Sequence, residues 1–222
     1  VARYEDVAIV LVSDTIDELP RTLSNHQIRF VRGRPSSEEV LHRANIAHCE
    51  GVFILPADIT DPNCDAQSYA IGSIIESISE ELNCDIRTIV EVISKENRKM
   101  LQRSSIDSIV QTDALKESLL VQEYLHPGIC LAFEQLTSNQ TGSQFYILKN
   151  KLSGVRFQNA QIAAIQHSSS LQIVGIIQNN SHSLTPPPDT VIQPDDALII
   201  IACTESDFTN IESELLELSQ NS

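Results

Sequence analysis

Short apolar runs alternate with helical segments through the first 110 residues, and this alternation restricts the fold more than any other feature. The runs are VAIVLV at 7–12, IRFV at 28–31, GVFIL at 51–55, IRTIVEV at 86–92 and SIVQ at 108–111. A strand buried on both faces is nearly all apolar, and strands that alternate with helices form parallel sheets. The pattern therefore predicts an α/β fold built on a Rossmann-like parallel sheet.

Helices are predicted between these strands. In PSSEEVLHRANI, Ser36 and Glu39 have the spacing of a capping box, and Val40, Leu41 and Ala44 form an apolar stripe. A longer helix is expected over Cys64–Leu82, and another over 95–103. Together these segments make βαβ units with right-handed crossovers.

The pattern changes at residue 113, where two helical segments are joined by the turn LHPG at 125–128. We expect residues 113–138 to form a helical hairpin. Its large apolar residues cover more than one helix face, so one domain surface cannot bury them all. They are Leu115, Leu119, Leu120, Val121, Tyr124, Ile129, Leu131, Phe133 and Leu136. This excess predicts a dimer interface.

A polar stretch, SNQTGS at 138–143, follows the hairpin and is typical of a linker. Beyond it, FYIL, a short helix at 156–163, LQIVGII, ALIII and an amphipathic helix at 207–218 predict a small α+β domain over 143–222. Within that domain, LTPPPDTVIQPDDALIII combines an extended proline-rich lead-in, a β-turn at Pro194-Asp195-Asp196 and a buried strand.

Composition excludes several classes of protein. The chain has 222 residues and a formal charge of −15, which disfavours binding to nucleic acid. No stretch is long and apolar enough for a membrane span, and the acidic start is unlike a signal peptide, so a soluble protein is expected. The five widely spaced cysteines form no CxxC pair, which favours a reducing, cytoplasmic setting.

The order and spacing of several motifs resemble the regulator-of-K⁺-conductance (RCK) family of potassium channels and Trk/Ktr uptake systems. These motifs are VRGRP at 31–35, LHRANIAHCEGVFIL at 41–55, KLSG at 151–154, the strand 173–177, PPDTVI at 187–192, and Asp195-Asp196 before ALIII. The resemblance implies an N-lobe over 1–112, a dimerisation crossover over 113–138 and a C-terminal lobe over 143–222.

It further implies a cytoplasmic gating-ring domain, assembled from homodimers, that couples ligand binding to a potassium channel pore or a transporter subunit in the membrane. The ligand would be Ca²⁺ or a nucleotide such as NAD, ADP or ATP.

The chain departs from the family in several places, one of which is Asp195-Asp196, where the family usually has Gly-Asp. The family's first strand and its Gly-rich phosphate-binding turn have no counterpart, so we expect a further strand upstream, inserted between 7–12 and 51–55. Arg34 stands after Gly33 where the family has Asp. Of the carboxylates that bind calcium in calcium-gated relatives, Glu91 matches one, whereas Leu55 and Ile93 occupy the positions of others.

Three residues at predicted strand ends are candidates for nucleotide binding. Asp14 follows the first strand, where a Rossmann sheet presents an acid to a ribose, although it could instead cap a helix. Gly33 and Arg34 follow the second strand. Arg34 could contact a phosphate through its guanidinium, or could pair with Glu38.

Acidic residues at strand ends are candidates for a divalent cation. Asp58, Asp61, Asp65 and Glu91 offer the oxygen ligands that Ca²⁺ prefers, and Asp58 and Glu91 are the predicted pair. The alternative is that they are acids on solvated loops. No catalytic motif is present, so an enzyme is not expected. The alternative function is an NAD(P)-dependent oxidoreductase with a Rossmann domain.

Overall fold

The computed structural model describes residues 7–21, 23, 28–98, 106–138, 142–167, 170–204, 208 and 212–213. Internal contacts divide the chain between Leu125 and His126 into two compact units. No helix in the described ranges is both long enough and apolar enough to cross a membrane.

All five strands predicted for the first unit are present, with slightly different bounds. Strand β1 (Ile9–Ser13) pairs in parallel with β2 (Ile28–Arg32). Strand β3 (Gly51–Ile54) pairs in parallel with β4 (Arg87–Glu91), which pairs in parallel with β5 (Ser108–Val110). Within the described part of the unit, β1 and β3 do not pair with each other, so the parallel strands form two separate sheets.

Helix α1 (Glu38–Arg43) and a 3₁₀ turn (Ile46–His48) connect β2 to β3. The predicted capping box at Ser36 is wrong: the helix is capped at Ser37, without a side-chain cap bond, because the Ser37 amide closes a turn onto the Arg34 carbonyl. Val40 and Leu41 are buried as predicted.

Helix α2 (Cys64–Leu82) connects β3 to β4 and has the bounds expected from the sequence. Its residues Ile75 and Ile78 are buried. They pack with residues of the strands and of α1 in the core of the unit. That core contains Leu41, Ile46, Ile54, Ile75, Ile78, Ile86, Val90, Val92 and Ile106.

Two further helices lie on either side of the unit boundary. Helix α3 (Thr112–Leu125) belongs to the first unit and α4 (Ile129–Thr137) to the second. Between them Gly128 has φ +99°, a left-handed conformation that favours glycine. Both helices of the predicted hairpin are therefore present, and neither contains a buried residue.

The second unit is built on a four-stranded antiparallel sheet in the order β6-β11-β8-β9. In addition to α4, the described part of this unit contains a two-stranded ladder of β7 and β10 and the helix α5, which contacts β8. The bounds are β6 Gln144–Lys149, β7 Val155–Arg156, α5 Phe157–His167, β8 Leu171–Gln178, β9 Ser181–Leu184, β10 Val191–Ile192 and β11 Ala197–Ala202. Its core includes Leu152, Phe157, Leu171, Ile192, Leu198 and Ile200.

The predicted turn before the last strand is present. The Asp196 amide donates to the Gln193 carbonyl over 3.1 Å, and the Asp196 carboxylate accepts from the Gln193 amide and from Gln178 Nε2, each over 2.8 Å. Asp196 is buried rather than exposed, because its carboxylate closes the turn and ties it to β8.

Two predicted helices cannot be compared in full. Residues 99–105 and most of 207–218 lie outside the described residues, and residues 95–97 form a turn.

Candidate ligand-binding cleft

A cleft of 540 Å³ opens in the first unit where β1, β2 and β3 end. In parallel α/β sheets, ligands bind at the carboxyl ends of the strands. The polar part of its lining is Ser13, Asp14, Thr15, Arg34, Ser36, Gln67 and Ser68, and apolar surface comes from Phe53, Leu55, Pro56 and Ile71.

Asp14 and Arg34, which the sequence places at two strand ends, meet at this cleft. Arg34 Nε lies 3.9 Å from Asp14 Oδ2, and both side chains are exposed. Arg34 therefore faces Asp14 rather than Glu38. Residues 14–21 form no helix, so Asp14 does not cap one there. A negative and a positive group stand side by side in the cleft, and both are open to a ligand.

Gly33 holds the backbone beneath this pair. Its amide donates to the Ser13 carbonyl over 3.0 Å, which joins the ends of β1 and β2. Its φ is +156°, and a Cβ at this position would lie 2.6 Å from Val40 Cγ2. The close approach of α1 therefore requires glycine, and this gives Gly33 a structural role at the site.

Cys64 is the thiol in the cleft wall. Burial raises the pKa of Cys64, and the neighbouring Asp65 carboxylate raises it further. The thiol is consequently protonated at neutral pH and is a poor nucleophile. This part of the cleft is suited to binding rather than to covalent chemistry.

Asp65 is the second residue of α2 and is only 1% exposed. Its carboxylate accepts hydrogen bonds from the Ile93 amide over 2.9 Å, the Ser94 amide over 3.0 Å and Asn97 Nδ2 over 2.8 Å. Burial acts to raise the pKa of Asp65, but the hydrogen bonds outweigh burial and hold this pKa below its usual value. A residue considered above as a calcium ligand is thus occupied within the protein.

The other acidic candidates also have protein partners. Asp58 accepts from the Thr60 hydroxyl over 2.7 Å and from its amide over 2.8 Å, and these bonds lower the pKa of Asp58. Asp61 accepts from the Asn63 amide and from Gln67 Nε2. Glu91 accepts from the Thr112 hydroxyl over 2.7 Å. The described ranges contain no group of three or more His, Cys, Asp or Glu side chains placed to hold a metal ion.

The predicted interface residues on the hairpin helices lie at the surface or close to it. Leu120 is 65% exposed and Tyr124 86%, and Leu115 and Ile129 are also exposed. Leu119 and Phe133 are half-buried. Their interface role stays a prediction.

Sequence reasoning missed the wall that α2 contributes to the cleft. Cys64, Gln67, Ser68 and Ile71 all line it, and they stand at i, i+3, i+4 and i+7, the spacing of one helix face. That periodicity was visible in the sequence. The sequence alone did not show that its polar members line a cleft, because the cleft forms only where α2 lies beside the ends of β1 and β3.

The sequence profile of the TrkA-N domain family matches residues 2–112, half of the chain, and this range includes the whole cleft. The chain belongs to the TrkA-N domain family. The resemblance to RCK domains stated above is thereby confirmed, as is the Rossmann-like fold class.

One curated relative and two solved structures are similar to this chain over most of its length. YugO of Bacillus subtilis (strain 168), which is named as a potassium channel protein, is 24% identical to this chain over 187 residues. The match covers 81% of this chain and 53% of YugO. The human SLO3 gating ring has the same fold, with a TM-score of 0.72 and 18% identity over 95% of this chain and 42% of that one. The GsuK channel is less similar, with a TM-score of 0.44 and 16% identity over 97% of this chain and 35% of that one. The chain spans about half the length of the curated relative it matches.

Proposed function

We propose that this chain is a ligand-sensing regulatory domain of a potassium channel or potassium transporter. The observation that carries the proposal is that the TrkA-N family match contains the entire cleft. The relationship to YugO supports a potassium channel as the assembly in which the domain works. Ligand binding would act on the pore by changing how subunits pack, and it can do so only by the difference in ligand affinity between the two packings.

The proposed ligand is a nucleotide, such as NAD, ADP or ATP, bound near Asp14, Gly33 and Arg34. Asp14 can accept hydrogen bonds from a ribose, and Arg34 can donate to a phosphate. The apolar wall formed by Phe53, Leu55 and neighbouring residues gives a base a surface to pack on. The cleft volume of 540 Å³ is in the range that small-molecule sites occupy.

Thermal unfolding of the chain with ADP, ATP, NAD, NADH, Ca²⁺ or Mg²⁺ tests this proposal. A ligand present at a hundred times its Kd should stabilise the folded state by about 2.7 kcal/mol. Asp14→Ala and Arg34→Ala should each weaken nucleotide binding about tenfold, because each removes a charged hydrogen-bonding partner.

A matched control is available beside the cleft. Asp17 and Arg32 form an exposed ion pair at 2.6 Å and do not line the cleft. Asp17→Ala and Arg32→Ala should leave nucleotide affinity unchanged. Equal effects of the two pairs of variants, or no stabilisation by any nucleotide, would count against a nucleotide site here.

Calcium is the second proposed ligand, with Asp58 and Glu91 as its candidate residues. Binding would have to compete with the Thr60 and Thr112 hydroxyls that these carboxylates now accept from. Calcium-dependent stabilisation that is lost in both Asp58→Asn and Glu91→Gln would support this site. Stabilisation that survives both substitutions would place the ion elsewhere.

We further propose that α3 and α4 hold two subunits together in a dimer, which assembles into a ring. The support is that neither helix buries a residue, although Leu120, Tyr124 and Leu131 are large and apolar. At about 25 cal/mol per Å², burial of a few hundred Å² per subunit contributes several kcal/mol before the entropy of association is subtracted. In a two-fold symmetric interface, each of these residues is buried in both subunits and therefore contributes twice.

The oxidoreductase alternative has less support. Family membership and the likeness to a gating ring favour a regulatory domain. The titratable groups in the described lining of the cleft are Asp14, Arg34 and the protonated Cys64, and Asp14 and Arg34 face each other. Incubation with NADH and a panel of small carbonyl substrates should give no oxidation of the cofactor, and turnover would favour the enzyme.

A further inference from the structure

The segment that follows β4 is attached to the first turn of α2 through one side chain. Ile93, Ser94 and Asn97 all donate to the Asp65 carboxylate, at 2.8 to 3.0 Å. Hydrogen bonds to a charged and buried acceptor are stronger than those between neutral groups. The position of residues 93–97 is therefore set by the position of Asp65.

Helix α3 is in turn attached to β4 and to this same segment. Lys95 Nζ lies 2.6 Å from Glu117 Oε2, and the Thr112 hydroxyl donates to Glu91 over 2.7 Å. Because α3 buries no residue, these polar contacts add to the direct connection from β5 in holding its start. Residues 91–97 thus help to set the direction of α3.

The contacts that join α3 to residues 91–97 and these residues to Asp65 lead back to the cleft. Cys64, Gln67 and Ser68 line the cleft from the first two turns of α2, and Asp65 stands among them with its carboxylate directed to residues 93–97. A displacement of the first turn of α2 by a ligand would carry Asp65 with it. The segment 93–97 and Lys95 would follow, and then α3.

We propose that Asp65 is a positioning residue that couples the ligand cleft to helix α3. It transmits a shift of the first turn of α2 to the segment 93–97, and the ion pair of Lys95 with Glu117 transmits this shift to α3. The coupling rests on the proposed function in one respect, namely that a ligand occupies the cleft. The attachment itself does not depend on any ligand.

Amide hydrogen exchange measured on Asp65→Asn tests the attachment. Asparagine has the shape of aspartate but cannot accept from all three donors, so exchange at Ile93 and Ser94 should accelerate at least about tenfold. Exchange in α3 should accelerate about threefold. Since α3 buries no residue, its amides exchange by local opening, and a lower global stability alone does not change their rate.

Asp61→Asn is the matched control. Asp61 also accepts hydrogen bonds at the start of α2, but only from residues two and six positions away. It should leave exchange in 93–97 and in α3 unchanged. If Asp65→Asn accelerates exchange at Ile93 and Ser94 without changing α3, the residue has only a local role and the coupling is refuted.

Lys95→Met keeps the inference testable if Asp65→Asn fails to fold. It breaks only the exposed ion pair, so α3 should exchange about two- to fivefold faster while Ile93 and Ser94 stay protected. Unchanged exchange in α3 would overturn the proposal.

Addition of ADP separates this inference from the proposed function. If ADP protects the cleft and α3 in the unaltered chain, Asp65→Asn should keep the protection of the cleft and lose that of α3. Equal protection of α3 in both proteins would refute the coupling. If ADP protects nothing, the nucleotide proposal fails, and the exchange comparison without ligand still decides whether the attachment exists.

Discussion

Replacement of Asp65 by asparagine should destabilise the first unit, and the loss should depend on pH. The carboxylate is 1% exposed and accepts three hydrogen bonds from residues 28 to 32 positions away. Asparagine offers one acceptor oxygen and turns an amide group toward a donor, which leaves at least one half-buried N–H without its partner. We expect the free energy of unfolding to fall by about 2–4 kcal/mol near neutral pH.

The sign of the pH dependence follows from the lowered pKa of Asp65. A carboxylate whose pKa is lower in the folded state contributes stability that is complete above its unfolded pKa, about 3.9 for Asp. That stability is lost as the pH falls through the folded pKa. The difference in unfolding free energy between the unaltered protein and Asp65→Asn should therefore be constant from pH 7 to 5 and shrink below about pH 4.

Urea unfolding followed by circular dichroism at pH 7, 5 and 3.5 measures this difference. Asp61→Asn serves as the control, because the hydrogen bonds of Asp61 are exposed to solvent and lie at the start of α2. This substitution should lower the free energy of unfolding by less than about 1 kcal/mol. Equal stability of Asp65→Asn and the unaltered protein at pH 7 would refute the reasoning. So would a difference that stays the same at pH 3.5.

Two further predictions concern the hairpin helices and the α1 junction. The double substitution Leu120→Asp and Phe133→Asp places charge in the proposed interface and should convert the dimer to monomers or aggregates. Light scattering measures this change. If it finds the unaltered chain monomeric at tens of micromolar, the proposed interface is wrong. Gly33→Ala should lower the free energy of unfolding by about 1–3 kcal/mol, because the added Cβ clashes with Val40. The loss should be at least about 1 kcal/mol smaller in a Val40→Ala background. Additive effects of the two substitutions would contradict the clash.

Local patterns were sufficient to predict most of the elements. The apolar runs located β1 to β5, and helical periodicity gave α2 its bounds, because each depends on residues a few positions apart. The strand β9 was missed, although the sequence carries a signal for it. Asn179 and Asn180 both have positive φ, and two such residues between strands are typical of a tight hairpin turn.

The roles of the acidic residues could not be predicted in this way. The sequence makes Asp65 and Glu91 calcium candidates because acids near strand ends offer the oxygen ligands that this ion prefers. Asp65 instead bonds to residues 28 to 32 positions later, and Glu91 to Thr112, 21 positions later. Such partners come together only after the strands have paired. Composition and spacing contain no information about which oxygens are already occupied.

The position of the cleft, in contrast, follows from strand direction alone. In a doubly wound sheet the ligand crevice forms where the strand order reverses, at the carboxyl ends. Here β1 and β2 form one parallel sheet and β3, β4 and β5 form another, and the cleft is lined from the carboxyl ends of both. The crevice therefore lies between β1 and β3. Asp14 and Arg34 stand on one side of it and the first turns of α2 on the other. A Gly-rich turn would add phosphate contacts to this crevice, but the crevice and its two charged residues are set by strands that this chain already contains.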